Sequence, residues 1–331
     1  LWSRTVVEPA NGTSIEVVNL PGSGPAPSRE MLLRLTSQLT LAGIEHAAGT
    51  ALMFHAAGVA LPDGRVIALV GESGAGKTTA TRALCRVDGP THYGYVTDET
   101  VAVDPDFRVR PFAKPLALCE VDGEVKMQRG PDDLGLAHAP ECLTLAAIVL
   151  LRRDVDHEGL ARLVSLSRLD LVDALVPHTS ALTRLPDPVH RLAALADRCP
   201  GYAVSYREAD DLAHALAELT AITDLDRETA QPPTVGDGAD HEVEAVSDTS
   251  PATHVSTADV LITPEGGFLL ADGHPVRLSP LGLSVWEALR SGYRGVDLVA
   301  QVTDRHGEHP DAESIVEGTR LTLAALNLPG I

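Results

Sequence analysis

The stretch VIALVGESGAGKTTATRAL, residues 66–84, decides the fold. Residues 66–70 are continuously apolar, as a strand buried on both faces should be. Residues 71–78, GESGAGKT, fit the phosphate-loop (Walker A) pattern G-x-x-x-x-G-K-[ST]. Residues 78–87, TTATRALCRV, read as a helix. Strand, Gly-rich loop and helix form the setting this pattern requires, and they predict an α/β phosphate-loop domain. Gly71, Gly74 and Gly76 let the backbone curl so that successive N–H groups face phosphates. The helix N-terminus adds its partial positive charge. The cradle runs over Gly71, Glu72, Ser73, Gly74, Ala75 and Gly76 to Lys77, Thr78 and Thr79. Lys77 is expected to reach the β- and γ-phosphates, and Thr78 to offer its hydroxyl to a metal. ATP and Mg²⁺ are the cofactors this predicts. The bland alternative is a Gly-rich turn that opens an ordinary helix.

Composition narrows the partners. The 331 residues carry a formal net charge of -20, which argues against nucleic acid and anionic membrane. A nucleotide site must then be a local positive pocket in an acidic chain. Lys occurs only at 77, 114 and 126, every other strong base being Arg. Coding bias alone could do this, yet a retained Lys suits a compact point charge against phosphate oxygens. Cys85, Cys119, Cys142 and Cys199 form no CxxC pair, and no apolar run is long enough for a bilayer. With no signal pattern at the N-terminus, the expectation is a reduced, cytoplasmic protein.

Outward from the loop, SIEVVNL reads as a strand and residues 28–43 as a helix. MFHAAGVAL, 53–61, and VIALV form two strands around an Asp63-Gly64 turn. Strand-rich segments follow to about 120, then a buried strand at 142–153 and short helices over 161–198. YAVSYRE and DDLAHALAELTAI supply a last strand and a closing helix. The acidic, Pro- and Ser-rich stretch 226–256 reads as a disordered linker between domains 1–225 and 257–331. The second domain reads as three short strands and three helices, with Ser279 capping the first helix and Pro280 opening it. It is predicted to be a small α+β, winged-helix-like module.

Two further features bear on chemistry. GYVTDET, 94–100, ends a strand in Asp98-Glu99, about twenty residues after the loop. A strand-end acid there can hold the metal or take a proton from an attacking hydroxyl, and two adjacent acids allow both. A solvated acidic turn is the alternative. His55 lies about twenty residues before Lys77 among apolar residues, where a lone His is usually structural. No N-K-x-D follows, which disfavours small GTPases.

HAAGVAL, GRVIALVGESGAGKTTATRAL and VTDETVAV, in that order, resemble the catalytic domain of HPr kinase/phosphorylase. RPFAKPLAL, 110–118, is closer to the smaller HPr-kinase-related proteins, among them serine kinases and kinases of lasso-peptide gene clusters. The resemblance implies a phosphate-loop kinase fold of the PEP-carboxykinase-like type. It implies Asp98 as general base, Glu99 as its helper or a metal ligand beside Thr78, and His55 near the transferred phosphate. Lys114 would neutralise charge developing on the γ-phosphate. The chain departs in having Asp-Glu where HPr kinase pairs two Asp, and in lacking the Glu-[Ile/Val]-Arg-Gly-x-Gly segment, so HPr as substrate and phosphorolysis do not carry over.

Residues 257–331, with Leu278, Gly282 and Trp286 in LSPLGLSVWEAL, are similar to PqqD, the peptide-binding modules called RiPP recognition elements. Such modules take up a leader peptide as an added strand. The function expected is an ATP- and Mg²⁺-dependent kinase acting on a Ser/Thr-type hydroxyl of a ribosomally made precursor peptide. A small-molecule kinase acting on free serine or the like, and a non-catalytic ATP-binding regulator, are the alternatives. Self-association into a homo-oligomer stays open.

Overall fold

The computed structural model describes residues 3–7, 15–19, 29–89, 91–118, 127–219, 259–271, 273–326 and 328. The stretch 226–256, expected as a linker, lies outside the described residues. Strands β1 (Ser3–Val7) and β2 (Ile15–Asn19) pair with each other, and helix α1 (Arg29–Ala47) follows.

The main sheet has six strands. Its centre is β5 (Arg65–Val70), the apolar run before the phosphate loop. Parallel to β5 lies β11 (Thr144–Arg153), and parallel to β11 lies β14 (Gly201–Tyr206). β4 (Ala56–Ala60) pairs antiparallel with β5 and with β6 (Gly94–Thr97). The far edge is β12 (Leu163–Ser165). β5 is buried on both faces, and strand alternation splits it. Val66, Ala68 and Val70 join the core under helices α3 (Arg168–Leu175) and α4 (Pro188–Arg198). Ile67 and Leu69 join the core under α2 (Lys77–Cys85) and a helix over 211–219, α5. Each such fully buried Ile or Leu contributes about 1.5–3 kcal/mol, so the layer that carries the loop is held from both sides.

A second sheet of four short antiparallel strands stands beside the first, in the order β13 (Thr179–Ser180), β3 (Leu52–Phe54), β7 (Val101–Val103), β8 (Val109–Arg110). The run 53–61, read as one strand from its sequence, is two. It breaks at His55, with β3 in the small sheet and β4 in the large one. The neighbouring chain makes the same crossing: β6 belongs to the large sheet, β7 to the small, and Asp98-Glu99-Thr100 lie between. The turn is local chemistry. The buried Thr97 hydroxyl accepts the N–H groups of Glu99 at 3.2 Å and Thr100 at 3.4 Å, bending the chain where β6 ends.

Residues 259–328 form a three-stranded antiparallel sheet, β15 (Val260–Thr263), β16 (Gly266–Ala271) and β17 (His274–Leu278), followed by α6 (Pro280–Arg290), α7 (Gly295–His306) and α8 (Ala312–Ala325). Ser279 caps α6 by accepting the Gly282 N–H at 3.1 Å. The register sets the two faces. Val260, Leu269 and Val276 form one cross-strand row, packed with Trp286 and Leu289 of α6. Leu261, Phe268 and Arg277 form the next row, on the opposite face. Leu261 and Phe268 belong to the same core as α3 and α4, and Arg277 bonds Asp170 at 2.7 Å and Asp173 at 3.3 Å on α3. Asp259, just before β15, accepts the main-chain N–H groups of Val189 and His190 and touches the His190 ring. Those N–H groups are the unpaired donors of the first turn of α4, whose own N-cap residue, Asp187, makes no side-chain cap. The second sheet module thus caps a helix of the first unit.

Candidate active site

The phosphate loop lies between β5 and α2. Two of its glycines cannot be exchanged without movement. Gly76 has φ +87°, and a Cβ there would stand 2.7 Å from the Tyr206 hydroxyl. At Gly71 a Cβ would come 2.9 Å from Ala75 Cβ and 3.0 Å from the Leu151 carbonyl oxygen. Tyr206, at the end of β14, donates its hydroxyl to the Ala75 carbonyl and so pins the loop from the side. Lys77 Nζ donates to the carbonyls of Gly71 at 2.6 Å and Glu72 at 3.2 Å. Burial lowers its pKa, against the opposing pull of Glu99, Glu72 and Asp98.

Across from the loop stands the acid pair. Thr78 Oγ1 donates to Asp98 Oδ2 at 3.2 Å. Lys114 Nζ lies 3.3 Å from Asp98 Oδ1 and 2.9 Å from Glu99 Oε2. Asp98 is only 7% exposed and Lys114 8%, while the Glu99 side chain at the edge of the cluster is 36% exposed. Burial raises the Asp98 pKa, with the Lys114 ammonium drawing it back. Burial alone would depress Lys114; Asp98 and Glu99 overcome it and hold the lysine above its usual value. The buried Tyr95 hydroxyl donates to the Lys114 carbonyl at 2.9 Å and lies 3.5 Å from Asp98 Oδ1. A single hydroxyl hydrogen serves one strong bond, so Tyr95 fixes the lysine's backbone, and Asp98 is held by Thr78 and Lys114.

His55 sits at the break between β3 and β4. Its N–H donates to the His178 carbonyl at 2.7 Å, and the Ala56 N–H to the Glu99 carbonyl at 3.2 Å. Burial, then Lys77, lowers the His55 pKa, so the ring is neutral near pH 7. The sequence-predicted set of Lys77, Thr78, Asp98, Glu99, Lys114 and His55 is therefore gathered at the seam where two neighbouring chains cross from one sheet to the other. Ser73, Gly74 and Thr79 lie on the loop and the first turn of α2 beside them.

Sequence reasoning missed Tyr95, Tyr206, Arg153 and His178. The exposed Arg153, at the end of β11, has its Cδ 3.7 Å from where a Gly76 Cβ would stand, beside the loop. A tyrosine at a strand end carries no spacing signal, and neither does a lone histidine in a short turn. Arg153 could have been found from β11 alone, because strands parallel to the loop strand end at the same edge.

The residues present fit a magnesium nucleotide. Mg²⁺ takes hard oxygen donors, one or two from carboxylates and the rest from phosphates and water. The Thr78 hydroxyl with the carboxylates of Asp98 and Glu99 is such a set. Among the described residues no three or more His, Cys, Asp or Glu side chains form a cage that could hold a metal unaided. Also among the described residues, no helix is long and apolar enough to cross a membrane. No protein-family model matches the chain, and no curated protein is similar to it.

Proposed function

We propose that this protein is an ATP- and Mg²⁺-dependent kinase of the HPr-kinase-like type, transferring the γ-phosphoryl group to a Ser/Thr-type hydroxyl. One observation carries the reading: a carboxylate with raised pKa, Asp98, is held beside the Thr78 hydroxyl at the mouth of a glycine-built phosphate loop. An acid whose pKa is raised toward neutrality is a better proton acceptor than a free Asp. Asp98 takes the proton of the incoming hydroxyl as its oxygen bonds to the terminal phosphorus and the bond to the ADP oxygen breaks. Lys77, the α2 N-terminus and Lys114 stabilise the negative charge on the phosphoryl oxygens. Mg²⁺, when bound by Thr78 with Glu99 or Asp98, neutralises the β- and γ-phosphates. Lys114 keeps Glu99 fixed and Asp98 oriented until the acceptor arrives.

The acceptor is proposed to be part of a peptide taken up by residues 257–331. Both faces of that sheet are covered, so an added strand would use the edge of β15 or β17. A second reading, phosphorylation of a small hydroxyl compound, is favoured by an apolar cavity of about 320 Å³ lined by Ile44, Met53, Thr100, Ala102 and Phe112. Thr100 adjoins Glu99 there, and Phe112 accepts the Lys114 N–H at 2.9 Å.

The test is transfer of labelled γ-phosphate to peptide and small-molecule acceptors, with Asp98→Asn as control. The expected result is transfer by the natural chain and a loss of about 10²- to 10⁴-fold in the variant. Equal turnover by both would reject Asp98 as base; no nucleotide binding by the natural chain would reject the kinase reading.

A further inference from the structure

His178 belongs to no motif, yet it stands at the same seam. The turn Val176–His178 joins the end of α3 to β13. β13 pairs with β3 through Thr179 and Phe54, which brings His178 next to His55. The His178 side chain is 13% exposed, and its Nε2 lies 3.9 Å from Glu72 Oε1. Glu72 is a residue of the phosphate loop itself, and its side chain is 86% exposed. Lys77 and His55 are close enough to act on the His178 ring electrostatically. The ring thus stands beside Glu72 of the loop, within electrostatic reach of the lysine assigned to the terminal phosphates.

We propose that His178 is a nucleotide-binding residue that donates a hydrogen bond to the terminal phosphoryl group of a nucleoside triphosphate. The inference rests on the kinase reading and adds a second imidazole to it. His55 reaches the phosphoryl group from the end of β3, and His178 from the end of α3. At 3.9 Å the exposed Glu72 carboxylate attracts the ring without a hydrogen bond to Nε2. A phosphate oxygen within hydrogen-bond distance gives Nε2 a charge-assisted bond that the carboxylate at 3.9 Å does not make. The contact exists only with a third phosphate, so His178 distinguishes a triphosphate from a diphosphate.

The test measures binding of Mg²⁺-ADP and of the Mg²⁺ complex of a non-hydrolysable β,γ-imido ATP analogue to the full chain, comparing the natural protein with His178→Ala and His178→Asn. The expected result is about tenfold weaker binding of the analogue to His178→Ala, with ADP affinity unchanged. Partial recovery is expected in His178→Asn, which keeps an N–H donor. A structural role would instead lower both affinities together, or the melting temperature with both nucleotides. Either that pattern or unchanged binding of the analogue overturns the proposal. The main-chain carbonyl that pairs with His55 is kept in both variants, so the sheet contact survives. If the natural chain binds neither nucleotide, the kinase reading fails; if it binds both and His178→Ala binds them as tightly, only the histidine assignment fails.

Discussion

The seam of the first unit and the sheet of residues 259–278 solve opposite problems. At the seam, Lys77, Lys114 and Asp98 are buried beside the half-buried Glu99; attraction outweighs desolvation at Lys114, whereas desolvation prevails at Lys77 and Asp98. In the C-terminal sheet, successive rows of side chains are apolar on both faces, and the charges sit at the rim, where Arg277 meets Asp170 and Asp173. The first arrangement gives up stability to keep ionisable groups buried together; the second contributes stability and keeps its charges at the rim. Removing a side chain should therefore have opposite signatures in the two regions.

The largest difference is expected at Asp98. Its raised pKa means that the folded state favours the neutral acid. The associated stability is fully present below the unfolded value and is lost as pH rises through the folded one. At neutral pH the cost of ionising buried Asp98 is thus set against the gain it gives Lys114. Asp98→Asn should remove nearly all transfer, yet melt at the same temperature as the natural chain or higher; a clear drop in melting temperature would break the contrast.

Next comes Phe268, fully buried against α3 and α4. Phe268→Ala should cost about 3–5 kcal/mol in urea unfolding. The residual folded enzyme should keep its transfer rate.

Arg277→Ala tests the rim. Its pairs are about two-fifths exposed, so the expected loss is under about 1 kcal/mol and should shrink with added salt.

The smallest effect is in pH. His178 is depressed mainly by burial, which Lys77 and His55 reinforce and Glu72 opposes. A depressed histidine contributes stability above its unfolded value, and loses it as pH falls through the folded one. The fall in melting temperature as pH drops below about 6.5 should therefore be shallower in His178→Asn than in the natural chain.

The strand, Gly-rich loop and helix around residues 65–85 were legible because their signals are local. The apolar run before Gly71, the glycine spacing and Lys77-Thr78 are contiguous, and backbone geometry within a few residues dictates their use. Asp98 was legible as a strand end. What surrounds it was not. His55 lies inside a run whose apolar pattern is unbroken, and nothing in 53–61 marks a change of sheet; the break is dictated by Val101–Val103 pairing with β3 and Gly94–Thr97 pairing with β4. His178 reaches the loop only through the pairing of β13 with β3, a contact between distant segments. In the C-terminal module, the sequence announced three short strands but not which faces they bury. That both are covered is a property of the partner surface, and Phe268 gives no hint of where its partner lies. The fully exposed reading of such a sheet is the default until a second apolar row is noticed.

Asp259 has a consequence for how this protein can be dissected. The first turn of α4 finishes its hydrogen bonding with a carboxylate that arrives from the other side of the 226–256 stretch. A truncation ahead of residue 257 would therefore strip α4 of its cap and bare the apolar bed under Leu261 and Phe268. What remained would be a damaged protein, and poor transfer to a peptide would say nothing about the proposed peptide capture. Point changes along the outer edges of β15 and β17 leave that bed closed, and they separate recognition from architecture.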